Sequence, residues 1–152
     1  MQIDDIDRRL LRHLEEDAAL PVAALAERTG LAPGPVARRL ERLERAGVIL
    51  GRRIDIDLRA LGYEVRVFLR VTLDKTAPRA FDAFLAAARE VPEVVAIQTL
   101  LGRVDARMDV VARDLAHYQQ IYRNRILALP HVAEIEALML VSELKGAGRL
   151  PL

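Results

Sequence analysis

The chain contains no cysteine and no tryptophan, and only 4% of its residues are aromatic. The absence of cysteine excludes a disulfide framework and any thiolate metal site, and it suits a reducing cytosol. The scarcity of aromatics means that the core must be built from Leu, Val, Ile and Ala. No apolar run reaches the ~18 residues that a membrane span needs, and the opening MQIDDIDRR has no apolar signal core, so no membrane partner is expected. The one serine, Ser142, falls on a predicted strand, with no Ser-His-Asp grouping in view. His13, His117 and His131 lie in three separate elements without i, i+4 partners, which argues against a metal site. Neither G-x-x-x-x-G-K nor G-x-G-x-x-G occurs, so nucleotide phosphate binding is not expected. These absences fit a cytoplasmic protein in which no metal, nucleotide or triad grouping stands out; the expectation is of no enzyme and no cofactor.

What is present is an apolar majority: 52% of 152 residues, enough for one compact domain or two small ones. The formal net charge is only +1, yet it is unevenly spread. Between Leu31 and Arg53 stand six arginines (Arg38, Arg39, Arg42, Arg45, Arg52, Arg53) against Glu41 and Glu44, a balance of 6 − 2 = +4. Such a local excess reads either as an electrostatic footprint for a polyanion or as the wet face of an amphipathic helix.

Periodicity divides the chain in two. Ile6, Leu10, Leu11 and Leu14 recur at helical spacing behind Asp4, a natural N-cap, and predict a helix over 5–16. Val22, Leu25 and Ala26 predict a second over 21–29, ended by Gly30. In GLAPGPVARRLERLERAG, Pro33 falls at the first helical position and Pro35 at the third, where a missing N–H is harmless. Val36, Leu40 and Leu43 then mark the inward face of a third helix that ends at Gly47. Three short helices with a tight turn before the third read as a helix-turn-helix unit. The alternation Ile54-Asp55-Ile56-Asp57, with Val48 and Ile49 before it, predicts a small hairpin, or wing.

The second half alternates strands and helices. Glu64–Leu73 reads as a strand and 78–91 as a helix with Phe81, Phe84, Leu85 and Ala88 inward. VVAIQTLLG and ARMDVVA are strands around a turn at 102–105. A helix over 115–129 turns Leu115, Tyr118, Tyr122, Ile126 and Leu129 inward, and HVAEIEALMLVSEL is a last long strand. The order β-α-β-β-α-β is ferredoxin-like. The fold class is therefore α+β: an N-terminal winged helix-turn-helix over 1–53, a linker strand over 54–62, and a ferredoxin-like βαββαβ domain over 63–152. In the last strand Ile135, Ala137, Met139 and Val141 share one face and Leu138, Leu140 and Leu144 the other. One face packs on the helices, and the other is expected to present a broad apolar area covered by self-association.

The stretches IDDIDRRLLRHLEEDA, LAERTGLAPGPVARRLERLERAGVI, PEVVAIQTLLGRVDARMDVVARD and LKGAGRLPL, in that order and spacing, resemble the Lrp/AsnC family of bacterial and archaeal transcription regulators over nearly the whole chain. The resemblance implies a sequence-specific regulator of double-stranded DNA, modulated by a small effector, usually an amino acid. It also implies dimers through the second domain and octamers or higher assemblies, and so a place beside the nucleoid. Two departures stand out. Ala32 occupies the N-cap of the third helix and Gly34 its tip, where similar proteins carry Ser or Thr.

With no hydroxyl at the tip, readout must lean on Arg38, Arg39 and Arg42, which can take guanine edges or hold phosphates, while Gly34 and Pro35 bring the backbone close. Arg52 and Arg53 on the wing are either backbone clamps or partners of Asp55 and Asp57. The turn GRVD resembles the family's effector loop. Gly102 supplies the turn, Asp105 either binds an ammonium or braces the loop, and Arg103 either meets a carboxylate or is solvated. Gln98 and Thr99 are nearby polar candidates. Ala106 replaces a common aromatic, which implies a more polar pocket. Two rival readings remain: a tetrapyrrole (siroheme-type) decarboxylase of similar fold, and a sensor whose DNA-binding head has decayed.

Overall fold

The computed structural model describes residues 2–144 and 150–151; most of the LKGAGRLPL ending lies outside the described residues. The chain forms two compact units, one of Met1–Asp55 with Leu144–Leu152 and one of Ile56–Glu143.

The first unit holds three helices, α1 (Asp5–Glu16), α2 (Val22–Thr29) and α3 (Pro33–Arg45). A reciprocal capping box starts α1: the Asp7 N–H donates to Asp4 Oδ1 (2.8 Å) and the Asp4 N–H to Asp7 Oδ2 (3.2 Å). Gly30, at φ 70°, closes α2 in the left-handed conformation that glycine takes without penalty. Ala32 precedes α3 with no side-chain cap, as its methyl requires. Leu10, Leu25, Val36 and Leu40 interdigitate, all but inaccessible, with Leu20 and Ala26 beside them. Each fully buried aliphatic side chain contributes roughly 1.5–3 kcal/mol.

The predicted wing is not a hairpin, because 46–64 contains no strand. The N–H groups of Val48 and Ile49 both donate to the Leu43 carbonyl (2.9 and 3.2 Å), closing the C-terminus of α3. They are thereby withdrawn from any ladder. The linker strand expected over 54–62 is likewise absent: its alternation finds no ladder partner among the described residues, and Ile54 and Ile56 stay exposed.

The second unit is a four-stranded antiparallel sheet in the order β2-β3-β1-β4. Its strands are β1 (Val65–Leu73), β2 (Val94–Thr99), β3 (Ala106–Ala112) and β4 (Val132–Met139). Helices α4 (Ala80–Arg89) and α5 (Leu115–Ile121) complete the ferredoxin-like arrangement. Val67, Leu69, Val71 and Leu73 of β1 and Ala106, Met108, Val110 and Ala112 of β3 pack under Phe84, Ala88, Ile121 and Ile126. The helix predicted over 115–129 is α-helical only to Ile121 and then widens into a π turn, Tyr122–Ile126, with Leu127 N–H bonded to the Tyr122 carbonyl (2.9 Å). Phe81 and Leu115, expected inward, are exposed, since Ala80, Phe84 and Ala88 form the facing stripe of α4 and Ile121 that of α5.

The strand predicted over 131–144 stops at Met139. The sheet face away from the helices also differs from the expected apolar area. It carries Arg66, Phe68 and Arg70 of β1, flanked by Arg107 and Asp109 of β3 and Glu136 and Leu138 of β4. The Phe68 ring lies 5.2 Å from the Arg66 guanidinium carbon and 4.2 Å from that of Arg107. Asp109 pairs with both arginines (3.0 and 3.3 Å), and Arg70 pairs with Glu136 (3.0 Å). Apolar side chains on this face include Phe68 and the exposed Leu138.

Candidate nucleic-acid interface and effector loop

Helix α3 buries Val36, Leu40 and Leu43. That inward stripe, at i, i+4 and i+7, sends Gly34, Pro35, Ala37 and Arg38 to the exposed surface. A Cβ built at Gly34 would meet nothing within 4 Å, so no packing inside the head requires glycine there. Its small size leaves room for an outside partner to approach the backbone. Arg38 is exposed and makes no ion pair or hydrogen bond among the described residues.

Arg39 and Arg42 stand differently. Arg39 Nη1 bridges Asp4 Oδ2 (2.7 Å) and Asp7 Oδ1 (2.8 Å). Arg42 Nη2 donates to the other oxygen of Asp7. The Asp7 side chain is fully buried and Arg39 is only partly accessible. The hydrogen bonds that Arg39 donates to the Asp4 and Asp7 carboxylates hold its guanidinium above its ordinary pKa. The Asp7 N–H, then Arg39, hold Asp4 below the ordinary carboxylate value. Two of the three arginines assigned to base readout are therefore tied to α1, and their charges are matched by two carboxylates.

Arg45 lies 3.8 Å from Glu41 across one turn, and both are exposed. Arg52 approaches Glu44 at 4.0 Å rather than Asp55 or Asp57, and Arg53 is exposed with no ion pair among the described residues. The sequence reading missed Asp7. Its signal was present: Asp7, Leu10 and Leu14 share one helical face, and a carboxylate on an apolar face needs a partner.

In the second unit the β2–β3 turn places Gly102 at φ 154° with Leu101 fully exposed at the tip. Asp105 is buried and braces this loop. It accepts the Leu73 N–H on Oδ2 (2.9 Å) and the Lys75 ammonium on Oδ1 (2.7 Å). Its own N–H donates to the Val71 carbonyl (2.9 Å), and its carbonyl accepts the Leu100 N–H (2.9 Å). The Leu73 N–H, then Lys75, hold its carboxyl below the ordinary value. Within the chain Asp105 braces the loop, and the ammonium it meets is that of Lys75. Lys75 lies thirty positions away in sequence, and no local pattern could have named it.

The Arg103 carbonyl accepts the Thr72 hydroxyl (3.3 Å), while Arg103 itself is exposed. Gln98 and Thr99 are consecutive on β2 and so emerge on opposite faces of the sheet. Gln98 pairs in register with Arg107, and Thr99 borders a shallow hollow of about 320 Å³ with Leu85, Arg89 and Ile97. The structure brings Gly102, Arg103 and Asp105 together and separates Gln98 from Thr99. Among the described residues no group of His, Cys, Asp or Glu could hold a metal, and no helix is long and apolar enough to cross a membrane.

Against known proteins, residues 3–49 match the winged helix-turn-helix DNA-binding family and residues 66–150 the Lrp/AsnC ligand binding domain. The chain is 38% identical to the proline dehydrogenase transcriptional activator of Rhodobacter capsulatus, over 86% of this chain and 85% of that one. It is 30% identical to the leucine-responsive regulatory protein of Escherichia coli, over 97% and 90%. Among solved structures, a Neisseria meningitidis transcriptional regulator in complex with L-Met superposes with a TM-score of 0.91 at 27% identity, covering 99% of this chain and 97% of that one. Escherichia coli AsnC gives 0.87 at 26%, covering 98% and 99%.

Proposed function

The chain belongs to the Lrp/AsnC family of transcription regulators, and from that premise we propose that it regulates promoters by inserting the N-terminal half of α3 into a major groove. The observation that carries this is the outward face of α3, where Arg38 stands exposed, with no ion pair among the described residues, beside the open backbone at Gly34. Arg38 is the direct reader, and an arginine can take guanine O6 and N7 together. The exposed tip at Gly34 and Pro35 allows close approach to a phosphate, and Arg53, with Arg52 beside it, supplies backbone contacts. Arg39 and Arg42 serve as braces that fix α3 against α1.

The effector is a small molecule, and we propose an amino acid held at the Gly102–Asp105 loop, with Arg103 facing its carboxylate. The L-Met complex of the structural relative supports that chemistry. Exposed Ile54, Ile56, Leu61 and Leu138 support a homodimer, from which octamers or higher assemblies grow. A two-fold dimer presents two α3 helices, so the operator is roughly palindromic with half-sites a whole number of turns apart. A regulator of this kind works in the cytoplasm beside the nucleoid and carries no catalytic step.

A gel shift of the full chain with its own upstream region, repeated with a panel of amino acids, tests the reading. A retarded band that one amino acid strengthens or weakens is the expected result. No retardation at low salt would instead mark a sensor with a decayed head.

A further inference from the structure

Asp7 does more in the head than cap a helix. Its carboxylate is fully buried, yet both oxygens are engaged by guanidinium groups from the helix that faces DNA in the reading above: Oδ1 by Arg39 and Oδ2 by Arg42. Asp4 adds a second acceptor for Arg39 at 2.7 Å. Both carboxylates belong to the first turn of α1 or its cap, so they are themselves fixed by the capping box. Arg39 and Arg42 remain partly accessible, with side-chain exposures of 26% and 43%. They border the surface that carries Arg38, but arrive there with orientation and charge already committed.

We propose that Asp7, assisted by Asp4, is a specificity-determining residue: it withholds the Arg39 and Arg42 guanidinium groups from the phosphate backbone. This inference rests on the DNA-binding reading of the head. The physical logic is a difference of affinities. Phosphate contacts strengthen binding to every sequence alike, whereas base contacts separate one sequence from another. Two unmasked arginines beside the groove would raise affinity for all duplexes and dilute the discrimination contributed by Arg38. Masking them with carboxylates on the neighbouring helix limits the sequence-independent term and holds α3 at a fixed angle.

The test is the salt dependence of binding to a random-sequence duplex and to the protein's own upstream duplex, measured on the full chain by fluorescence anisotropy. In Asp7→Asn Arg42 loses its charged partner and Arg39 keeps only the Asp4 carboxylate, so the first is freed and the second partly so. The log–log salt slope on random duplex is expected to steepen by up to ~1.8, at ~0.9 per phosphate neutralised, while the affinity ratio between the two duplexes narrows. Asp4→Asn keeps a capping side chain and frees Arg39 only in part, so its slope is expected to steepen by less than ~0.9. Asp5→Asn removes the same charge from the same turn, and Asp5 pairs with no guanidinium among the described residues, so it is expected to leave the slope unchanged.

Slopes in Asp7→Asn and Asp4→Asn no steeper than in Asp5→Asn would overturn the proposal and leave Asp7 a brace alone. Where Asp7→Asn fails to fold by circular dichroism, the comparison of Asp4→Asn with Asp5→Asn decides. A wild-type chain that binds neither duplex at any salt would remove the DNA-binding reading first, and the mask with it, a result distinct from equal slopes in a binding protein.

Discussion

At the residue scale, charge partnerships decide which side chains are available. Arg38 and Arg39 are neighbours in sequence, but Arg38 is exposed and has no ion pair among the described residues, while Arg39 is held by two carboxylates. Arg38→Ala is therefore expected to weaken DNA binding and flatten the salt slope by about 0.9, the contribution of one neutralised phosphate, if it holds backbone. If it reads a base, the variant loses about 1–3 kcal/mol of discrimination at one position of the operator, which a set of single-substituted duplexes would reveal.

Asp105 is the corresponding residue of the second unit. Asp105→Ala leaves the buried Leu73 N–H without its acceptor, and a loss of about 1–3 kcal/mol in denaturant unfolding is expected. Because the Leu73 N–H and Lys75 hold the Asp105 carboxyl below its ordinary value in the folded chain, its contribution is fully present above that ordinary value. The contribution is lost as pH falls through the folded-state value. Wild type should thus lose stability in acid below about pH 4 more steeply than Asp105→Ala does, with the two curves converging at the lowest pH.

At the element scale, α3 departs from a common helix start. Ala32 offers no cap, and Pro35 removes a donor from the first turn. A serine at 32 could still reach the Gly34 N–H. Ala32→Ser is expected to raise stability by about 0.5–1 kcal/mol, read as an upward shift of the thermal midpoint. Gly34 is helical and meets open space, so Gly34→Ser should be tolerated and should alter base preference through the added hydroxyl. A binding-site selection comparing the two proteins would show it, and an identical consensus would place position 34 outside the groove. The linker teaches a related lesson. Its Ile-Asp alternation carries strand propensity, but a strand forms only where a ladder partner exists, and 46–64 has none among the described residues.

At the scale of the whole molecule, exposed apolar side chains gather on the linker and on the β4 edge. Leu61, Leu138 and Met139 are each about half exposed or more. The proposed homodimer covers such surface. Leu138→Asp is expected to shift the particle toward monomer in size-exclusion chromatography with light scattering, and to weaken operator binding as the second α3 is lost. An unchanged mass would place the interface elsewhere. The charged network around Phe68 belongs to the same face, so any partner seated there meets arginine and carboxylate groups as well as leucine.

The sequence by itself determined the two-unit plan, the three helices of the head, the βαββαβ order and the inward stripes of most elements. Each follows from periodicity within ten or so residues, a local property of the chain. It also carried the motif order that pointed to the family. Only the tertiary structure decided which arginines of α3 are free, that Lys75 neutralises Asp105, and that the wing residues close a helix instead of pairing. The first two outcomes depend on groups thirty or more positions apart meeting at hydrogen-bond distance, and the third on two N–H groups folding back onto the Leu43 carbonyl. A pattern of residue types fixes which face of an element is wet, but not which opposite charge, from another element, reaches it first.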